Sequence, residues 1–126
     1  MRQAVQTDEA PAAVGPYSQA VRAGSLLFIS GQIPLDPRSG QVVEGNATAQ
    51  THRVMQNVGA ILRAAGAGYD LVVRTTIFLS DLDDFAQVNE AYGRYFDDPA
   101  PTRATVQVAA LPKAVCVEID AVAYLG

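Results

Sequence analysis

Pro101-Thr102-Arg103-Ala104-Thr105-Val106-Gln107-Val108 alternates in character from residue to residue, as a half-buried strand does. Arg103, Thr105 and Gln107 fall on one side, and Ala104, Val106 and Val108 on the other. Further on, Val115-Cys116-Val117-Glu118-Ile119-Asp120-Ala121-Val122 alternates too. It sets Val115, Val117, Ile119 and Ala121 against Cys116, Glu118 and Asp120. With Leu111-Pro112-Lys113-Ala114 as the connection, the two runs are expected to be neighbouring strands. If the connection has an even length, Arg103 and Glu118 share a polar face, whereas a slip of one residue separates them. Ideal register still leaves them roughly 13 Å apart along the strand. A bulge, another register or a substrate between them has to close that gap. One fixed guanidinium and one carboxylate suit a small substrate that carries a carboxylate and needs an activated water.

Working outward, Gln19–Arg22 and Leu26–Gln32 read as strands joined by a hairpin at Ala23-Gly24-Ser25. Pro34 to Gly40 is turn chemistry, and Gln41–Glu44 is a short strand at most. Asn46 or Thr48 could cap a helix running to about Ala65. Val54, Met55, Val58, Ile61, Leu62 and Ala65 recur there at helical spacing, and Gly66 is a natural stop. Leu71–Leu79, rich in β-branched residues, reads as a strand. Asp84 is placed to cap a second helix over about Phe85–Phe96, with Val88, Ala91, Tyr92 and Tyr95 on its apolar face. Strands over Arg103–Ala110 and Ala114–Tyr124 close the chain. Two helices suffice to cover one face of a sheet of about six strands. The expectation is an α+β, two-layer sandwich with a mixed sheet, in a single domain over residues 1–126.

The chain has 126 residues, 49% of them apolar and 17% charged, within the range of a globular domain with a true core. The formal net charge is −4, and the nine basic residues are scattered without a run. That argues against a nucleic-acid scaffold, which usually carries a basic patch. One cysteine excludes an intramolecular disulfide and suits a reducing compartment. The leading segment has no apolar stretch long enough for a signal peptide or membrane span, so a cytoplasmic protein is expected. One His and one Cys, far apart, do not make a zinc site, and no phosphate loop or dinucleotide fingerprint is present.

Five segments in order carry a resemblance: Gly15-Pro16-Tyr17-Ser18-Gln19-Ala20; Ser30-Gly31-Gln32-Ile33-Pro34-Leu35-Asp36-Pro37; Val88-Asn89-Glu90-Ala91-Tyr92; Pro101 to Val106; and Leu111-Pro112-Lys113 with Val117-Glu118-Ile119. Together they resemble the Rid (reactive intermediate deaminase, or YjgF) family, of the RidA type, over about Val5 to Leu125. The resemblance implies a chorismate-mutase-like fold and a homotrimer, with uncovered sheet faces packed around a central barrel and clefts between subunits. It implies hydrolysis of 2-imino acids, such as 2-iminobutanoate and 2-iminopropanoate, to 2-oxo acids and ammonia. It implies no cofactor, while the scattered basic residues and the lack of an apolar span add the expectation of no nucleic-acid partner and no membrane.

Residue by residue, the resemblance implies that Arg103 grips the substrate carboxylate and Glu118 positions the attacking water. A guanidinium suits the first role, because it stays charged and binds carboxylates in a fork. Ser30 and Gly31 would lie against the substrate, Tyr17 would wall the pocket and donate its hydroxyl, and Asn89 would sit near the cleft. Thr105 would serve through its backbone N–H; it stands where many members carry Cys. The plainer readings are a surface arginine at a strand end, a carboxylate paired across subunits, a strand-end turn at Ser30, a buried turn tyrosine and a solvent-facing helical Asn89. The link from Phe96 to Arg103 is short for the family, which would widen the cleft and shift substrate preference. Cys116 among β-branched residues reads as a small hydrophobe, His52 as exposed, and Asp81-Leu82-Asp83-Asp84 as a turn and helix cap. The rival functions are a trimer that binds a 2-oxo acid without turnover, and a ribonuclease or translation inhibitor.

Overall fold

The computed structural model describes residues 1–126. Six strands make one sheet: β1 (Arg2–Val5), β2 (Ala20–Ala23), β3 (Leu26–Gln32), β4 (Val72–Leu79), β5 (Thr102–Gln107) and β6 (Val117–Tyr124). Their spatial order is β1-β2-β3-β6-β4-β5. All neighbours are antiparallel except β4 and β5, which run parallel. Helices α1 (Ala47–Ala64) and α2 (Phe85–Gly93) cover one face. This is the two-layer α+β sandwich expected from the strand and helix periods. No helix is long and apolar enough to cross a membrane.

Helix α1 starts where Asn46 Oδ1 accepts the Ala49 N–H at 3.1 Å, so Asn46 is the cap and Thr48 is not. It stops where Gly66 turns to a φ of +75° and the Ala67 N–H reaches back to the Leu62 carbonyl at 2.8 Å. Its buried stripe of Val54, Val58, Ile61 and Leu62 meets Leu27, Ile29, Ile77, Leu79, Val117 and Ile119 of the sheet. Each such side chain contributes roughly 1.5–3 kcal/mol of transfer free energy. Helix α2 adds Val88 and Tyr92 to the same core. It ends at Gly93 rather than Phe96, and Asp84 makes no side-chain cap bond. The carboxylate that caps is Asp81, at the head of the short 3-10 turn Leu82–Asp84 leading into α2, where it accepts the Asp83 N–H at 2.9 Å.

The chain order of β5 and β6 misleads. They are not neighbours, because β4 lies between them, parallel to β5 and antiparallel to β6. Thr75 pairs with Arg103 on one side and Ala121 on the other, while Phe78 pairs with Val106 and Glu118. Thr75 and Phe78 are three positions apart, so they point to opposite faces. Arg103, Thr105 and Gln107 therefore lie on the helix side of the sheet, and Glu118 and Asp120 on the open side. Of the two arrangements the sequence left open, the separated one holds: Arg103 and Glu118 share no face within one chain. The leading segment before Pro11, given no strand by the sequence reading, forms edge strand β1, and Gln41–Glu44 supplies only a bridge from Val42 to Leu35.

Candidate active site

The candidate residues fall into two groups, and each is built by a different part of the fold. The first sits at the β5 edge on the helix side. Arg103 Nη1 donates to Asn89 Oδ1 at 2.7 Å. The guanidinium carbon lies 5.6 Å from the centre of the Phe85 ring and 5.3 Å from that of Tyr92. Phe85, Asn89 and Tyr92 fall at i, i+4 and i+7 on α2, one continuous stripe. Arg103 is exposed, yet it is held rather than free, and N–H groups away from Asn89 stay open to an anion. Its neighbour Thr105 is half-buried, with an enclosed Oγ1 that has no hydrogen-bond partner.

The second group sits on the open face, around a bulge in β3. Between Ile29 and Gln32 the register with β6 shifts, so Ser30 and Gly31 together face the single Asp120. The bulge lays bare backbone beside Glu118. A Cβ on Gly31 would come 2.9 Å from the Glu118 carboxyl carbon and closer still to Oε2, so only glycine leaves that carboxylate its place. Burial, and then the charge of neighbouring Asp120, push the Glu118 carboxyl above the usual carboxylate range. Glu118 makes no salt bridge; the chain's one ion pair is Arg94 with Glu90 on α2.

Ser30 links this group to Tyr17. Its Oγ donates to the Ser18 carbonyl at 2.6 Å, and its N–H donates to the Gln19 carbonyl at 3.0 Å. Gln19, 3% exposed, then holds the preceding loop. Its side chain accepts the Thr7 N–H at 2.7 Å and donates to the Thr7, Ala10 and Pro11 carbonyls. The Tyr17 ring, 53% exposed, stands at the end of that braced turn. It helps line a cavity of about 450 Å³ with Val5, Thr7, Ala10, Gln19 and Pro37; neither Arg103 nor Glu118 reaches it.

Ser30, Gly31 and Glu118 thus come together at the bulge, and Asn89 and Arg103 at the β5 edge, with Thr105 two residues further along the same face. Glu118 and Arg103 lie on opposite faces with β4 between, and the Tyr17 ring lines the separate cavity. Sequence reasoning missed Phe85 and Tyr92 as partners of Arg103, although their spacing from Asn89 carried the signal. It also missed Asp120 as the second influence on Glu118. Cys116 is half-buried with its thiol pKa raised by burial, as suits a packing residue. His52 is half-buried rather than exposed, with Nδ1 2.8 Å from the Tyr95 hydroxyl. No group of three or more His, Cys, Asp or Glu side chains comes together to hold a metal ion.

A family model described as endoribonuclease L-PSP matches residues 7–125. Protein DfrA of Myxococcus xanthus is 58% identical over 124 residues, covering 97% of this chain and 95% of that protein. The 2-iminobutanoate/2-iminopropanoate deaminase of Homo sapiens is 48% identical over 126 residues, covering 100% and 92%. Among solved structures, E. coli TdcF with bound serine superposes with a TM-score of 0.92 at 43% identity, covering 97% of this chain and 98% of that one.

Proposed function

The chain belongs to the endoribonuclease L-PSP, or Rid/YjgF, family, and from that premise we propose that it is a deaminase hydrolysing 2-imino acids to 2-oxo acids and ammonia. Relatives named 2-iminobutanoate/2-iminopropanoate deaminase support the reaction class. The observation that carries the reading for this chain is the divided site. One sheet face presents a braced guanidinium, and the other a carboxyl with a raised pKa over a bare glycine.

We further propose that a second copy unites the halves in a homotrimer. The open face exposes Leu26, Phe28, Val106 and Tyr124, between 39% and 51%, an apolar surface that a neighbouring sheet would cover. The Arg103 of one protomer would then face the Glu118 of the next. Arg103 holds the substrate carboxylate through its free N–H groups, with the Thr105 backbone N–H and Tyr17 completing the pocket. Glu118 takes a proton from water as oxygen bonds to the imine carbon. The imine electron pair moves onto the protonated imine nitrogen, giving a carbinolamine. Glu118 returns its proton to that nitrogen. As the carbon–nitrogen bond breaks, the hydroxyl gives up its proton to the carboxylate, leaving the 2-oxo acid and ammonia. A carboxyl raised in pKa is the better base for the first step and holds the proton it needs for the second more readily.

The family description raises a ribonuclease as the other reading. The formal charge of −4 and the scattered basic residues favour a small carboxylate over a polyanion. The test is clearance of 2-iminobutanoate made in situ by a threonine dehydratase. We expect Arg103→Ala to lose about a hundredfold or more in kcat/KM while keeping its oligomeric state. Clearance like the wild type by that variant removes the role of Arg103. RNA cleavage by wild type without imine hydrolysis replaces the reading, and 2-oxo acid binding without turnover reduces it to a binding protein.

A further inference from the structure

Building on the carboxylate role proposed for Arg103, we infer that the buried hydroxyl pair Thr75–Tyr92 is a positioning device for that arginine, acting without touching substrate. The two hydroxyl oxygens are 2.7 Å apart. Thr75 is 1% exposed and Tyr92 4% exposed, so the bond is shielded from water and strong in its low-dielectric surroundings. Thr75 is the direct cross-strand neighbour of Arg103 in the parallel ladder. The phenol is therefore moored to the residue beside the arginine, and its ring is stationed against the guanidinium, 5.3 Å from centre to Cζ.

The geometry assigns three supports to one side chain: Asn89 on an edge, Phe85 against it from the start of α2, and Tyr92 from beneath. Asn89 and Phe85 are exposed, while Tyr92 alone is buried and locked by a partner in the sheet. A long, flexible arginine loses rotamer freedom when it grips a ligand, and a side chain clamped beforehand loses less. Burial keeps the Tyr92 phenol above its ordinary pKa, with the Thr75 hydrogen bond and the Arg103 charge pulling against it, as expected if the phenol and guanidinium sense each other. A hydroxyl pair serving the core alone would contribute to stability and leave the guanidinium indifferent to its loss.

Thr75→Val and Tyr92→Phe each remove one hydroxyl while keeping shape, and the double variant removes both. The first readout needs no substrate: the NMR resonance of the Arg103 Nε–H, displaced by the ring current of Tyr92. We expect that displacement to shrink in all three variants; an unmoved resonance overturns the inference. The second readout is 2-oxobutanoate affinity and imine turnover. Each single variant should weaken affinity and raise KM about fivefold, the scale of one buried hydrogen bond, with kcat nearly unchanged. The double variant should match the singles rather than multiply them, and Thr75→Val should add nothing in an Arg103→Lys background. A fall in melting temperature with affinity and KM unchanged, or a full effect in that background, also overturns the inference. Wild type that neither binds 2-oxobutanoate nor hydrolyses imine sinks the function proposed above, while the resonance still decides the positioning role.

Discussion

The two faces of the sheet treat their functional side chains in opposite ways. On the helix side Arg103 has an amide acceptor and two aromatic rings around it. On the open side Glu118 has burial and a like charge, Asp120, with no cation paired to it. One group is held in the form it needs, and the other is kept under electrostatic stress. The contrast fits the roles proposed for them, because a carboxylate anchor should be rigid and permanently charged, whereas a proton shuttle should sit closer to its own titration. It also separates what each residue does for folding: Arg103 adds contacts, while an ionised Glu118 weakens the fold it belongs to.

The largest effect should come from keeping both halves intact and denying them each other. Phe28, 46% exposed on the open face, is the place to do so. We expect Phe28→Asp to give a folded monomer by light scattering, with imine clearance lost despite untouched Arg103 and Glu118. A fully active monomer would mean that the halves never needed joining.

Glu118→Gln sharpens the contrast in stress. Activity should fall about 10²–10⁴-fold, the usual worth of a positioned acid–base group. Stability should move the other way. A carboxyl whose pKa is raised by folding supports the fold while protonated, below its unfolded pKa, and that support is lost as pH rises through the folded value. In the Phe28→Asp monomer, where no second copy brings Arg103 to the carboxyl, Glu118→Gln should therefore melt above its Glu118 parent at neutral pH, and the gap should narrow as pH falls into the carboxylate range. A variant that melts lower at neutral pH contradicts the stress assigned to Glu118.

The smallest effect lies in the crossover between the faces. Lys113 and Ala114 have φ of +55° and +56°, the left-handed region that side chains disfavour. Ala114→Gly should stabilise the protein by about 1 kcal/mol, read by urea unfolding, without altering kinetics. Destabilisation would show that Ala114 is not strained.

That crossover also marks where the sequence stops being legible. Both helices, the β2–β3 hairpin and the faces within each strand follow from periods and caps: Asn46, Gly24, Gly66 and the alternation of β6 are local signals. The insertion of β4 between β5 and β6 is not local, and alternation is silent about which strands meet. Residues 108–116 were read partly as strand ends. Neither Lys113 nor Ala114 announces a left-handed turn as glycine would. The site residues were legible as types and motifs, but their division between faces depends on strand order. The bulge at Ser30-Gly31 was visible only as a glycine, and the tie from Ser30 to the Ser18 carbonyl not at all.

The central claim is that one working site takes its guanidinium from one protomer and its carboxyl from another. Inactive Arg103→Ala and Glu118→Gln proteins, unfolded together and reassembled in equal amounts, test it by complementation. We expect imine clearance to return to about a quarter of the wild-type rate, because random assembly leaves that share of interfaces with both groups intact. A mixed, correctly sized oligomer as inactive as its parents would contradict the claim.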